Sequence, residues 1–141
     1  MRILEVNTEK GWRGGERQTV YNIQGFIEAK TPVEVLCIKD RPLAQKSKSL
    51  GIPVHEVTSS FRSIRFLMRA GKKFDIIHVQ TAKSQFHAVL TKLFHGRPVV
   101  YTRRVDFVPK GFLTRIKYKL TEQLIAISTP MHTALRLGVP L

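Results

Sequence analysis

Short runs of apolar residues alternate with longer amphipathic stretches along the chain. The apolar runs are rich in Val and Ile, as expected of buried strands in a parallel sheet. We predict six strands, at Ile3–Val6, Val33–Ile38, Pro53–Val57, Ile76–Val79, Val99–Tyr101 and Leu124–Ile127. The alternation predicts an α/β fold with a doubly wound, mostly parallel, Rossmann-like sheet in a single domain.

One of the intervening stretches carries the clearest helical spacing. Its apolar residues follow the i, i+3, i+4, i+7, i+8 pattern of a helix with one face on a core. They are Phe86, Val89, Leu90, Leu93 and Phe94. We therefore expect this helix to bury that face against the sheet. Gly51-Ile52-Pro53 and Gly96-Arg97-Pro98 are predicted to end helices and open the next strands.

Composition narrows the class of protein. A length of 141 residues with 43% hydrophobic residues predicts one compact domain over residues 1–141. No apolar run approaches the roughly 18 residues of a membrane span, and the amino terminus has no secretory pattern, so we expect a cytoplasmic protein. The lone Cys37 is expected to be a buried structural thiol. The net charge of +14 predicts an anionic partner: nucleic acid, phospholipid headgroups or a phosphorylated ligand.

The first candidate site is the stretch TEKGWRGGERQTVYNI, which follows the first predicted strand. Ligands of open parallel sheets bind outside the carboxyl ends of the strands. Gly14 and Gly15 come just before Glu16 and a helix, so their backbone N–H groups predict a site for a phosphate or a sugar. The alternative is a tight turn without a ligand. The glycine spacing fits neither the dinucleotide fingerprint nor the P-loop, which weakens a dinucleotide or ATP site.

Polar residues also follow the fourth strand, in the sequence HVQTAKS. His78 is either functional or a buried imidazole with satisfied hydrogen bonds. Thr81 or Ser84 can simply cap the following helix. After the fifth strand, Arg103 and Arg104 either grip a phosphate or carboxylate, or form a solvated pair bridged to Asp106.

Four segments together resemble a known family. WRGGERQTVYNI, DIIHVQTAKS, VVYTRRVDF and LIAIS occur in this order, as in the amino-terminal half of glycosyltransferase family 4 enzymes, which have the two-domain GT-B architecture. The resemblance covers essentially the whole chain and implies half of a GT-B fold that receives the acceptor. It implies that the glycine loop, with Gly14, Gly15 and Glu16, contacts the phosphates and sugar of the donor. Together with the loops that follow the strands, it gives the candidate acceptor or cleft residues: Arg13, His78, Gln80, Thr81, Lys83, Arg103, Arg104 and Asp106.

Two departures from the family pattern limit what carries over. Family members often have a second histidine where this chain has Gln80, an amide that binds hydroxyls but cannot exchange a proton near neutral pH. The paired glutamates and the donor pocket of the family belong to a second half. We expect that carboxyl-terminal donor-binding domain to come from the same gene or from a separate subunit. The chain alone is not expected to transfer sugar, and no catalytic residue is assigned.

Basic residues gather on one stripe of a predicted helix, at i, i+3, i+7 and i+10. They are Arg62, Arg65, Arg69 and Lys72, flanked by Phe66 and by a separate apolar face of Phe61, Ile64, Leu67 and Met68. Residues 110–120 hold a second cluster, with Lys110, Arg115, Lys117 and Lys119 beside Phe112, Leu113, Ile116 and Leu120. The combination suits an anionic membrane surface. The alternative is a docked helix with a solvated basic face.

Three functions fit these observations. The preferred one is the acceptor-side domain of a retaining glycosyltransferase, which moves a sugar from a nucleotide-sugar to a glycolipid or oligosaccharide in cell-envelope polysaccharide or lipopolysaccharide synthesis. It needs no tightly bound cofactor and no metal. The second is a nucleotide-binding Rossmann domain in which Asp40 bonds a ribose, without the usual fingerprint. The third is a basic nucleic-acid-binding module, although no recognised RNA or DNA module is present.

Overall fold

A computed structural model describes residues 1–103, 111–121 and 123–126. The strands are β1 (Ile3–Asn7), β2 (Val33–Ile38), β3 (Val54–Val57), β4 (Ile76–Val79), β5 (Val99–Arg103) and β6 (Gln123–Ala126). The helices are α1 (Gly14–Glu28), α2 (Pro42–Ser49), α3 (Ser60–Ala70), α4 (Ala82–Leu90), α5 (Lys92–His95) and α6 (Phe112–Lys119), with a 3₁₀ turn at Gly71–Lys73. All six predicted strands are confirmed with small shifts of their bounds, and Ile127 lies outside the described residues.

The sheet has the order β3-β2-β1-β4-β5-β6, and every pair is parallel. The chain builds outward from β1 to β3 and then crosses back to lay β4, β5 and β6 on the other side of β1. This confirms the predicted doubly wound, Rossmann-like fold. The strand order reverses between β1 and β4, and a crevice opens at the carboxyl ends of strands at such a reversal.

Two layers of helices cover the sheet because successive side chains of a strand point to opposite faces. Leu4 and Val6 share a core cluster with side chains of α3, α4 and α6. Ile3 belongs to the other cluster, with side chains of α1 and α2. We call these the α3–α6 layer and the α1/α2 layer. Cys37 is fully buried beside α1 and α2, and burial raises the pKa of its thiol to about 12. Both observations agree with the predicted structural thiol.

The apolar face predicted for residues 86–94 does not pack on the sheet. α4 ends at Leu90 and α5 begins at Lys92, and four of the five predicted core residues are exposed. The exposed fractions are 49% for Phe86, 52% for Leu90, 98% for Leu93 and 58% for Phe94. The prediction of the buried face was therefore wrong.

Polar side chains occupy the inward face of α4 and α5 instead, and each is hydrogen-bonded there. Gln85 Nε2 donates to Thr121 Oγ1 at 2.9 Å, and His95 Nε2 lies 2.8 Å from the carbonyl oxygen of Ala88. His87 Nδ1 lies 3.1 Å from Ser63 Oγ on α3. These hydrogen bonds pair Gln85 Nε2, His87 Nδ1 and His95 Nε2 on the inward side, while Oε1 of Gln85 is buried without a partner. The helices thus turn a largely hydrogen-bonded polar face inward and their apolar face outward.

α3 buries only part of its predicted apolar face. Leu67 is fully buried, whereas Phe61 and Met68, predicted to share its apolar face, are 72% and 37% exposed. Phe66 was predicted to flank the basic stripe on the outer surface. It packs inward against the core instead, with its ring centroid 4.7 Å from that of His55. The membrane-facing prediction for Phe66 is therefore corrected.

Candidate functional site

An open cleft of about 580 Å³ lies at the carboxyl ends of β1 and β4. The loop after β1 forms one wall, and the start of α4 forms the other. Its lining includes Arg13, Gly15, Glu16, Gln80, Thr81 and Lys83, all predicted from the sequence. The reversal of strand order thus coincides with the cleft that the sequence predicted.

α1 begins at Gly14, between the cleft-lining residues Arg13 and Gly15, with Arg13 as its extended N-cap residue. Gly15 lines the cleft. A Cβ added to Gly14 would meet no atom within 4 Å, so the space beside this residue is open. The first N–H groups of a helix lack partners within the helix and carry partial positive charge. This end of α1 is therefore suited to an anionic group.

Glu16 has a structural task at the same helix end. Its side chain is buried, and its Oε2 accepts a hydrogen bond of 2.7 Å from the backbone N–H of Arg13. A carboxylate in the first turn is favoured by the helix dipole. The side chain of Glu16 thus closes the helix terminus, and its negative charge would oppose a phosphate rather than hold it.

A buried polar network lies below the cleft and starts from Glu5, which is fully buried in β1. Glu5 pairs with His78 in the parallel register. The Oε1 atom of Glu5 lies 2.6 Å from Nδ1 of His78, and Nε2 of His78 lies 2.7 Å from Oγ1 of Thr102. His78 is therefore a buried imidazole with both ring nitrogens hydrogen-bonded, which was the structural alternative for this residue.

Gln80 connects this network to the cleft. Its Nε2 donates to Oε2 of Glu5 at 2.6 Å, and the residue is part of the cleft lining. Glu5 thereby fixes the orientation of the Gln80 amide from below. The sequence reasoning missed Glu5, although a carboxylate in the middle of the apolar run ILEVN was a usable signal, since buried charges require partners.

The start of α4 combines capping with positive charge. Oγ1 of Thr81 accepts a hydrogen bond of 3.0 Å from the backbone N–H of Ser84, so Thr81 is the N-cap, as the capping alternative predicted. Lys83 is exposed at the cleft, and Lys10, which the sequence reasoning did not single out, joins it there. Burial, together with the charge of Lys83, lowers the pKa of His87 on the next turn.

The third predicted loop is described only at its beginning. Arg103 is the last residue of β5, and Arg104 and Asp106 lie outside the described residues. Asp40, the residue of the nucleotide-binding alternative, has a left-handed backbone with φ of 57° after β2. Within the ranges described, no three His, Cys, Asp or Glu side chains are grouped to hold a metal ion. No helix of that part of the chain is long and apolar enough to cross a membrane.

Comparison with known proteins shows which family the chain belongs to. Residues 12–140 match the model of Glycosyltransferase Family 4. The chain belongs to glycosyltransferase family 4. This confirms the resemblance of its four segments, and it favours the first of the three functional hypotheses. No curated protein sequence matches the chain significantly.

Solved structures of glycosyltransferases share the fold at low sequence identity. Alr3699/HepE of Anabaena, solved in complex with UDP, is 19% identical with a TM-score of 0.79, over 98% of this chain and 41% of that one. MurG of Acinetobacter baumannii is 12% identical with a TM-score of 0.67, over 89% and 40%. The lipopolysaccharide outer core galactosyltransferase WaaB is 13% identical with a TM-score of 0.67, over 100% and 45%. The chain thus spans about two-fifths of their length and has the fold of the amino-terminal domain of a GT-B glycosyltransferase.

Proposed function

We propose that this domain forms the acceptor side of a retaining, metal-independent glycosyltransferase and contributes its glycine loop to the binding of a nucleotide-sugar donor. The observation that carries the proposal is the cleft at the β1/β4 reversal, into which the amino end of α1 opens beside Lys10, Arg13 and Lys83. A diphosphate is stabilised by helix N-terminal amides and by nearby cations. Complexes of HepE with UDP and with UDP-glucose support a donor of this class.

The roles of the residues follow from their positions. The amides of Gly14 and Gly15 approach the donor phosphates because glycine leaves no side chain in the way. Arg13, Lys10 and Lys83 offset the negative charge that develops on the departing diphosphate. Gln80, held by Glu5, donates to or accepts from a sugar hydroxyl and takes no part in proton transfer.

The rest of the enzyme is expected in a carboxyl-terminal donor-binding domain. Transfer breaks the bond between C1 of the sugar and the diphosphate, forms a bond from C1 to the acceptor hydroxyl, and passes the hydroxyl proton to the leaving phosphate. The acceptor is a glycolipid or an oligosaccharide of cell-envelope polysaccharide or lipopolysaccharide synthesis. We propose that the domain works at the cytoplasmic face of the membrane, with Arg62, Arg65, Arg69 and Lys72 toward anionic headgroups.

The glycine loop offers the direct test of the donor site. Gly14→Val places a branched side chain in the open space beside the α1 terminus. In an enzyme that joins this domain to its donor domain, we expect kcat/KM for sugar transfer to fall about a hundredfold, the usual scale for the loss of positioned backbone donors. The matched control is Gly25→Val, also in α1 and also with open space around an added Cβ. Equal activity of the two variants would remove the loop from the donor site.

A further inference from the structure

An apolar groove of about 690 Å³ runs between α4/α5 and α6, on the far side of these helices from the sheet. Its walls include Phe86, Val89, Leu90, Leu93, Ile116 and Leu120. Nζ of Lys92 donates to the carbonyl oxygen of Leu120 at 2.8 Å and so ties α5 to the end of α6. Soluble proteins seldom expose contiguous apolar patches without a partner for them. The groove is therefore a candidate docking surface.

The same layer is strongly basic. α3, α4, α5 and α6 contain eight Lys and Arg residues and no Asp or Glu: Arg62, Arg65, Arg69, Lys83, Lys92, Arg115, Lys117 and Lys119. α3 packs against α4 and α5, and its exposed Phe61 and Met68 add to the apolar surface. Exposed apolar side chains thus stand among positive charges along the whole layer. Such a combination is typical of interfacial membrane binding.

Charge decides between the possible occupants. A second copy of the chain would bring two such basic layers together, and like charges across an interface are strongly unfavourable. A bilayer with anionic headgroups offers the opposite charge to the Lys and Arg residues and an apolar interior to the groove. We propose that the α4–α6 surface inserts into the headgroup region of an anionic membrane, with Leu93 and Phe94 at its leading edge.

This inference names the membrane partner of the proposed enzyme and rests on that proposed function for its use. α4 starts at the cleft with Thr81 as its cap and ends at Leu90, next to the leading edge. Nine helical residues span about 14 Å, and Leu93 follows three residues after α4, so insertion of Leu93 would hold the cleft within roughly 20 Å of the bilayer surface. A lipid-linked acceptor presents its sugar in this zone.

Removal of the leading edge provides the main test. The variant Leu93→Ser/Phe94→Ser changes two exposed side chains, and its fold is checked by thermal unfolding. Sedimentation uses vesicles of equal parts phosphatidylglycerol and phosphatidylcholine. We expect its partition coefficient to fall at least about tenfold, since two large apolar side chains no longer leave water. The matched control, Tyr21→Ser/Ile27→Ser, removes two exposed apolar side chains from α1 and should bind like the wild type.

A fluorescent label reports insertion itself. Leu93→Cys can be labelled selectively with an environment-sensitive dye, because the native Cys37 is fully buried. We expect the dye to shift to the blue and to be quenched by spin-labelled lipid on addition of the anionic vesicles. The same dye on Tyr21→Cys, at a 62% exposed position of α1, should stay in water.

Several outcomes would overturn the inference. They are absence of binding to anionic vesicles, equal binding by the Leu93→Ser/Phe94→Ser variant, and a dye at position 93 that stays in water. A dimer in sedimentation velocity that dissociates in the variant, without vesicle binding, would assign the groove to a second copy and also refute it. Transfer to a water-soluble acceptor tests the proposed function separately, because neither position 93 nor position 94 lines the cleft.

Discussion

The two helical layers cover the same sheet and differ in almost every surface property. α1 and α2 carry Arg17, Lys46 and Lys48 together with Glu16 and Glu28, and their exposed large apolar residues are Tyr21 and Ile27. The helices of the α3–α6 layer carry eight basic residues and no carboxylate. Their exposed large apolar residues, within the part of the chain that is described, are Phe61, Met68, Phe86, Leu90, Leu93, Phe94, Phe112, Ile116 and Leu120.

The difference lies in which side chains each layer turns toward the sheet. The α1/α2 layer has an ordinary mixed surface, and its first helix opens at the cleft. The α3–α6 layer keeps polar groups such as Gln85 and His87 inside and sends apolar ones outward. α4 packs on the sheet through Ala88 and buried polar side chains, and its larger apolar side chains, Phe86 and Leu90, face outward.

Among the tests of this difference between the layers, we expect the largest effect from charge reversal on α3, which should weaken binding to anionic vesicles. Arg62→Glu/Arg65→Glu/Arg69→Glu acts on the exposed stripe of α3. At about 1 kcal/mol for each basic residue near anionic headgroups, we expect vesicle binding to weaken at least a hundredfold. Co-sedimentation with anionic vesicles at low and at high salt measures it, and the difference should shrink as salt screens the charges.

The same number of reversals in the other layer supplies the control. Arg17→Glu and Lys46→Glu on α1 and α2, with Lys30→Glu just after α1, change the net charge equally. If the layers differ as proposed, this variant keeps most of the vesicle binding. A similar loss in both triple variants would mean that net charge alone, and not the α3–α6 layer, governs binding.

A smaller effect is expected where α3 packs on α5. A Cβ added to Gly71 would lie 2.8 Å from Cβ of His95, which is too close for either backbone to remain in place. We expect Gly71→Ala to lower the free energy of unfolding by about 1–3 kcal/mol, as overpacking does. Urea unfolding followed by circular dichroism measures the change.

The other layer offers a glycine without such a neighbour. Gly25 lies in α1 with nothing within 4 Å of an added Cβ, so Gly25→Ala should raise stability by up to about 1 kcal/mol. Opposite signs for the two substitutions would sharpen the contrast between a tightly packed α3/α5 contact and an open α1 surface. A stabilising Gly71→Ala would show that the α3/α5 contact yields easily.

The strands were predictable because buried parallel strands are continuous apolar runs, and glycines marked the turns between them. Gly51 and Gly96 indeed have positive φ values, of 76° and 62°, at the ends of α2 and α5. The orientation of α3 and α4 was not predictable from apolar spacing. Ser63 and His87 satisfy each other across the two helices, and only the three-dimensional contact makes their burial favourable.

Several residues that line the cleft were predicted from the sequence, whereas Glu5, at the centre of the buried network below it, was not. Loops that follow strands identified Gly15, Gln80 and Lys83 as neighbours, since all parallel strands end at the same edge. Glu5 was missed because it lies inside a strand, where the pattern recorded only apolar residues. The hydrogen bonds from Glu5 through His78 to Thr102 join three strands. They can form only because the strand order places β1, β4 and β5 side by side.

We expect the smallest effect from the pH dependence of stability, which involves His87 of the α3–α6 layer. Burial first, and the charge of Lys83 second, lower the pKa of His87 below its ordinary value of 6.5. In the unfolded chain His87 takes up a proton as the pH falls through 6.5, while in the folded state it does so only at lower pH. The folded α3–α6 layer should therefore lose stability as the pH falls below 6.5, with the loss levelling off below the folded-state pKa.

His87→Gln tests this dependence because glutamine does not titrate but keeps an amide near Ser63 Oγ. We expect the unfolding free energy of the variant to change less than that of the wild type between neutral and mildly acidic pH, in urea titrations across that range. The half-buried His55 of β3, whose Nε2 lies 2.8 Å from Oε1 of Glu34, is unchanged in the variant, so any titration of His55 contributes equally to both pH profiles. Parallel pH profiles of wild type and variant would show that protonation of His87 does not couple to folding, and that the inward polar face of α4 tolerates a charge.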